Sequence, residues 1–246
     1  MRTSNPAFRS KTALKAFANT NTETGSMSIR GTINKSLIMV LIIFAAGSIS
    51  WKMFMDGASF TMPLVFGSAI VGFILALITI FSPKHVQITV PLYALAEGLF
   101  LGGISAMYNH IYEGIVVQAV LLTATTLFLM LILYRTGVLK ATPAFRRGVI
   151  IATGAIAIVY LLNFVFSLFG GTGISIIYDN GIAGIGFSLL VVGIAAFNLI
   201  LDFDNIEKGA EMGLSKNYEW YGAFGLMVTL IWLYLEILRL LTKLRR

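Results

Sequence analysis

The chain has 246 residues, 57% of them hydrophobic and 12% charged, with a formal net charge of +7. Soluble domains carry about 25% charged residues, so a chain this apolar cannot solvate its own surface and reads as an all-α polytopic membrane protein in a lipid bilayer. Nucleic acid is excluded as the reason for the positive charge, because the basic residues sit between apolar runs and at the chain ends, and the absence of cysteine excludes disulfides, thiolate chemistry and cysteine-based metal sites.

Residues 1–35 are polar and carry Arg2, Arg9, Lys11, Lys15, Arg30 and Lys35 against Glu23. A cleaved secretory signal would place its apolar stretch nearer the start and end it at a small-residue cleavage site. The segment is therefore expected to be a basic tail, mobile or a short surface helix, ahead of a membrane domain over 36–246.

A spanning helix needs roughly 20 mostly apolar residues. Seven segments qualify: 37–55, 62–81, 88–108, 114–134, 148–169, 181–201 and 220–241. Turn chemistry separates them. "DGASFTMP", "SPKHVQ" and "NHIYEG" are short breaks; "RTGVLKATPAFRR" is longer and basic; "GGTGISIIYDNG" is rich in glycine; "DFDNIEKGAEMGLSKNYE" is the most charged. Lys84, then Arg135, Lys140, Arg146 and Arg147, then Lys208 and Lys216 fall in alternate loops, on the side of the N-terminal tail. The opposite loops hold only Lys52. Lys and Arg favour the cytoplasm, so this pattern predicts a cytoplasmic N-terminus. The C-terminal "RLLTKLRR" would then lie outside with seven spans, and inside with six or with a re-entrant last segment; seven is the favoured count.

Many of the 24 glycines lie inside spans, including the Gly98 and Gly102 pair and the series Gly181, Gly184, Gly186 and Gly193. Small residues let helix backbones approach in lipid, so ordinary helix packing explains them. A phosphate-binding reading of "GIAGIG" has no preceding strand to support it. No internal repeat of the kind that marks many secondary transporters is visible.

Ionisable groups inside a bilayer are costly, and each is a functional candidate. Glu97 stands mid-span in "YALAEGLFLGG". It must meet a partner, a water-filled cavity or a proton, and Tyr93, one turn earlier on the same face, is placed to donate to it. Glu236 in "WLYLEILRLL" has Arg239 three residues on, which fits an ion pair on one face. Asp202 and Asp204 end the sixth span. Two residues apart is about 200° around a helix, so they cannot share a face. Asn198 and Asp202 share one; Asp204 shares another with Glu207 and Lys208. One aspartate is expected to point into the bundle and the other to water or to Lys208. His85 and His110 read as loop surface residues. No H-E-x-x-H and no serine elbow is present, and "IYDNG" lacks the Gly-x-Gly-Asp of an intramembrane aspartyl protease, so an enzyme is not expected. No cofactor and no resident metal is implied.

"AEGLFLGGISAMYNHIYEGIVVQAVLLTATT" and "AAFNLILDFDNIEKG…EWYGAFGLMVTLIWLYLEILRLL" resemble the Bax inhibitor-1 family in its bacterial YccA-like branch, over roughly residues 36–244. The resemblance implies a seven-helix fold with a central last helix, and a protein linked to calcium leak across the inner membrane. It also implies a pair of aspartates, in the sixth and seventh helices, whose shared protonation opens and closes a pore. Phe203-Asp204-Asn205 fits the sixth-helix pattern best, and a two-residue shift would choose Asp202. In the seventh helix Thr229 stands where the relatives have the second aspartate, so the latch is not carried over intact. Glu236, two turns beyond Thr229, or Asp202 or Glu97, are the substitutes.

Two functions follow from these residues. The first is a pH-sensitive calcium or cation leak, gated by Asp204 or Asp202, with Glu97 as an intramembrane ion or proton site. The second is a non-transporting regulatory protein that binds other membrane proteins, such as a membrane protease or a stress-response partner.

Overall fold

A computed structural model describes residues 25–170 and 173–245. The basic segment 1–24 lies outside the described residues, and with it the expectation of a mobile tail or surface helix. Eight α-helices follow in order: α1 Ile29–Met55, α2 Thr61–Phe81, α3 Val86–Ile111, α4 Ile115–Arg135, α5 Pro143–Leu168, the short α6 Ser175–Tyr178, α7 Ile182–Glu211 and α8 Tyr218–Leu244. A 3-10 turn over Pro83–His85 leads into α3. Seven of the helices are long and apolar enough to cross a membrane. Phe66, Phe73, Phe128, Phe164 and Leu161 on these helices are exposed in the chain itself. That is an unsolvable surface in water and the ordinary one in lipid.

Three boundaries differ from expectation, each for a local reason. α1 begins at Ile29 rather than 37, so the last seven residues of the expected tail are helical. Ser28 caps it, its Oγ accepting from Gly31 N at 2.9 Å. α5 begins at Pro143 rather than 148 because Thr142 caps it, accepting from Phe145 N at 3.2 Å, with proline at the first helical position. α7 runs to Glu211, ten residues past the expected end at 201. Its polar last turns still bury Ile206, Asp202 and Asp204, and Gly213 at φ +60° ends the run. The stretch "DFDNIEKGAE" is therefore helix rather than loop. At about 1.5 Å per residue, the 30 residues of α7 measure about 45 Å, well beyond a hydrocarbon core of about 30 Å.

The chain divides into two units. Unit 1 holds residues up to Val116 together with Asp204–Val228. In it, α1 and α3 cross on small residues: a Cβ at Gly98 would lie 2.7 Å from the Ile43 carbonyl oxygen, and one at Gly102 would overlap the Gly47 carbonyl. Tyr93 of α3 packs edge-on against Phe224 of α8, with ring centres 5.0 Å apart. Residues just before α1 pair with the connection before α8. Met27 N donates to Leu214 O at 2.8 Å and Lys216 N to Gly25 O at 3.1 Å.

Unit 2 holds Val117–Phe203 and Thr229–Arg246. Asn198 of α7 donates to Thr153 Oγ1 of α5 at 2.8 Å. Phe145 and Phe197 meet edge-on at 5.5 Å. The glycine-rich connection before α7, expected as a loop, contains α6. Asn163 secures it, its Oδ1 accepting from Ile174 N and its Nδ2 donating to Tyr178 OH, both at 2.8 Å.

Burial is concentrated in the third, sixth and seventh spans. Of their apolar windows 56%, 44% and 50% are buried, against 22% or less in the other four. The most buried helices are thus those that carry Glu97, Asp202, Asp204 and Glu236.

Candidate functional site

Asp202 is 2% exposed, in the part of α7 that belongs to unit 2. Thr229 Oγ1 on α8 donates to its Oδ2 at 2.6 Å. A threonine hydroxyl is a neutral donor and offers no countercharge. An ionised carboxylate away from water needs a cation or a proton. The residue that meets Thr229 is therefore Asp202 rather than Asp204, which the sequence pattern favoured.

Asp204 belongs to unit 1 and accepts from Lys208 Nζ at 2.6 Å, one turn on. The lysine is nearly half exposed, its side chain 44% accessible. The two aspartates thus do divide, one against a buried neutral donor and one against a solvated cation.

Glu97 is half-buried in the middle of α3, in unit 1. Its carboxylate fills the space beside Gly72 of α2, where an added Cβ would lie 2.8 Å from Oε1. The expected bond from Tyr93 does not form. The Tyr93 ring is turned onto Phe224 instead, because stacking aromatic surface there buries it fully. No partner within hydrogen-bond distance of Glu97 occurs among the described residues.

Glu236, in unit 2, forms the expected pair with Arg239 Nη1, at 3.0 Å, and gains a second donor, Tyr160 OH of α5, at 2.9 Å. Arg239 also donates to that same hydroxyl at 2.6 Å and lies 5.0 Å from the Tyr160 ring centre. Glu236 is thus committed to Tyr160 and Arg239, and Asp202 to Thr229. The structure does not bring these two carboxylates of unit 2 together as a proton-sharing pair.

Three polar groups escaped sequence reasoning. Tyr160 lies within the expected fifth span, 148–169. Glu219 read as the polar edge of a loop, yet it is 2% exposed. It pairs with Lys35 of α1 and accepts from Ser28 N at 2.9 Å. Gly31 leaves the room for it, since a Cβ there would overlap the Glu219 carboxylate. The available signal was that Lys35 and Glu219 are opposite charges adjoining apolar runs. Lys243, in the last turn of α8, falls in the basic C-terminal stretch "RLLTKLRR", yet it is 5% exposed.

Among the described residues, no three His, Cys, Asp or Glu side chains gather as a metal-binding group.

The family described as Bax inhibitor 1 like matches residues 5–246, nearly the whole chain. Comparison with curated proteins gives no match, and comparison with solved structures gives none.

Proposed function

The chain belongs to the Bax inhibitor 1 like family, and from that premise we propose that it mediates a pH-sensitive leak of calcium or another cation across the membrane, through a pathway gated by carboxylates. The observation that carries this reading is Asp202, a buried carboxylate at the end of the apolar run of α7, met by the neutral Thr229 hydroxyl at 2.6 Å. A side chain in that setting changes its interactions sharply when it gains or loses a proton or a cation. Asp202 is the gate, and Thr229 orients it. Asp204, paired with Lys208, stands at the mouth of the same span. Glu97 is a separate intramembrane ion or proton site. Glu236 is held by Tyr160 and Arg239 and positions rather than conducts.

The alternation of basic loops supports a cytoplasmic N-terminus, and the residues shared with the YccA-like branch support a bacterial inner membrane as the setting. The chemistry is binding and passage, with no bond made or broken.

The test is calcium entry into dye-loaded proteoliposomes at mildly acidic and mildly alkaline pH, wild type beside Asp202→Asn and Asp204→Asn. We expect pH-dependent flux in the wild type. Asp202→Asn should lose the pH dependence and change the rate about tenfold, the effect of about 1.4 kcal/mol on a barrier. Asp204→Asn should give a smaller change. Flux that is unaltered in both variants overturns the gate. No flux above empty liposomes at either pH transfers the reading to a regulatory protein that binds other membrane proteins.

A further inference from the structure

Lys243 is a buried charge that the proposed pathway does not use. Lysine is almost never fully buried unless it is paired, and near a helix end its long stem ordinarily carries the ammonium out to water. Here the side chain turns inward within unit 2. Its Nζ donates to the Gly184 carbonyl at 2.8 Å and reaches the Ile176 carbonyl at 3.5 Å. No carboxylate lies within salt-bridge distance of it among the described residues. Asp179, whose backbone abuts Gly184, places a carboxylate beside the same turn.

The surroundings are those of a small-cation site. Backbone carbonyls with carboxylate charge nearby are hard oxygen donors, the kind that alkali and alkaline-earth ions take in place of water. Gly184 makes the arrangement possible, because a Cβ there would overlap the backbone carbonyl of Asp179, and the 176–179 turn could not close on α7. Ser188 lies one turn beyond Gly184 on the same face of α7. Ser188 is buried, and its hydroxyl has no hydrogen-bond partner among the described residues. We propose that the carbonyls of Ile176 and Gly184 form a small-cation site in unit 2, which the Lys243 ammonium fills as a tethered ion.

The tether answers an electrostatic objection. The first turn of a helix is the positive end of its dipole, a poor place for a cation, and few oxygens converge here. A free ion would bind such a site weakly. An ion fixed to the same chain is present at an effective concentration in the millimolar range or above, and stays. The site does not require that ions cross the protein, so it stands or falls separately from the leak.

The test is thermal unfolding of the full chain in detergent, in potassium, sodium or calcium chloride against N-methylglucamine chloride at fixed ionic strength. Wild type should show a smaller cation dependence than the neutral variants, because Lys243 already fills the site. Lys243→Met should melt lower in N-methylglucamine and recover saturably as a small cation replaces it. The recovery should be about 3 to 6 °C when the ion is tenfold above its dissociation constant. Lys243→Arg should stay insensitive, and Asp179→Asn added to Lys243→Met should weaken the recovery. Lys243→Gln keeps a donor for Gly184 without the charge, and it should show the same recovery where the methionine variant does not fold. A loss of stability that no cation restores, in either neutral variant, makes Lys243 a hydrogen-bonding strut and overturns the proposal. The same result follows if the wild type shows an equal cation dependence.

Discussion

Each buried charge in this chain has a different answer to the problem of leaving water. Glu236 has two donors, one of them cationic; Glu219 has a lysine, a backbone N–H and the Ser28 hydroxyl; Asp202 has one hydroxyl. That last arrangement makes Thr229 easy to test. Thr229→Val keeps the shape and removes the donor, which leaves the Asp202 carboxyl buried without its bond. We expect a loss of about 1–3 kcal/mol, read as a lower melting temperature in detergent. Asp202→Asn with Thr229 intact should cost less, because an amide retains an acceptor for the hydroxyl. Residue identities alone could nominate Asp202, Asp204, Glu97 and Glu236, since a carboxylate in an apolar run stands out. They could not show which aspartate meets Thr229, because the register of α7 against α8 is set by packing along both helices. Tyr93 and Glu97 illustrate the opposite failure. Their i, i+4 spacing permits a bond, but the tyrosine ring gains more by packing on Phe224.

At the level of elements, hydropathy located all seven spans but misjudged where three of them end. Apolar runs report the length that lipid covers, whereas helix ends are fixed by caps and by polar residues that continue a buried face. Ser28, Thr142 and the last turns of α7 are the cases. Glycine content was equally ambiguous, since sequence cannot tell a glycine at a crossing from one facing lipid. Gly102 of α3 has the Gly47 carbonyl where its Cβ would be, whereas Gly154 of α5 has open space. Gly102→Val should therefore part α1 from α3 and give little folded protein by size-exclusion chromatography. Gly154→Ala should be neutral or stabilise by up to about 1 kcal/mol, the helix-propensity difference. Equal tolerance at the two positions would show that the α1–α3 crossing is not close.

For the whole molecule, seven helices long and apolar enough to cross a membrane would place successive connections on alternate sides of the bilayer. The chain has no cysteine, so single cysteines can be introduced one at a time without a background signal. Lys140 and Asp56 are both exposed, in connections predicted to face opposite sides. Lys140→Cys should react with an impermeant maleimide only from the cytoplasmic side, and Asp56→Cys only from the other. Labelling of both from one side would reject the seven-span topology. The pairing of Lys35 with Glu219 also bears on how such a chain is made. The two residues are 184 positions apart, so the ribosome, adding roughly 5–20 residues per second, delivers the glutamate about 10 to 40 s after the lysine. Throughout that interval the first span sits in or near the membrane with an unneutralised cation on a face that is later buried. The first span thus has to insert without this pair, which forms only once the start of the final span is made.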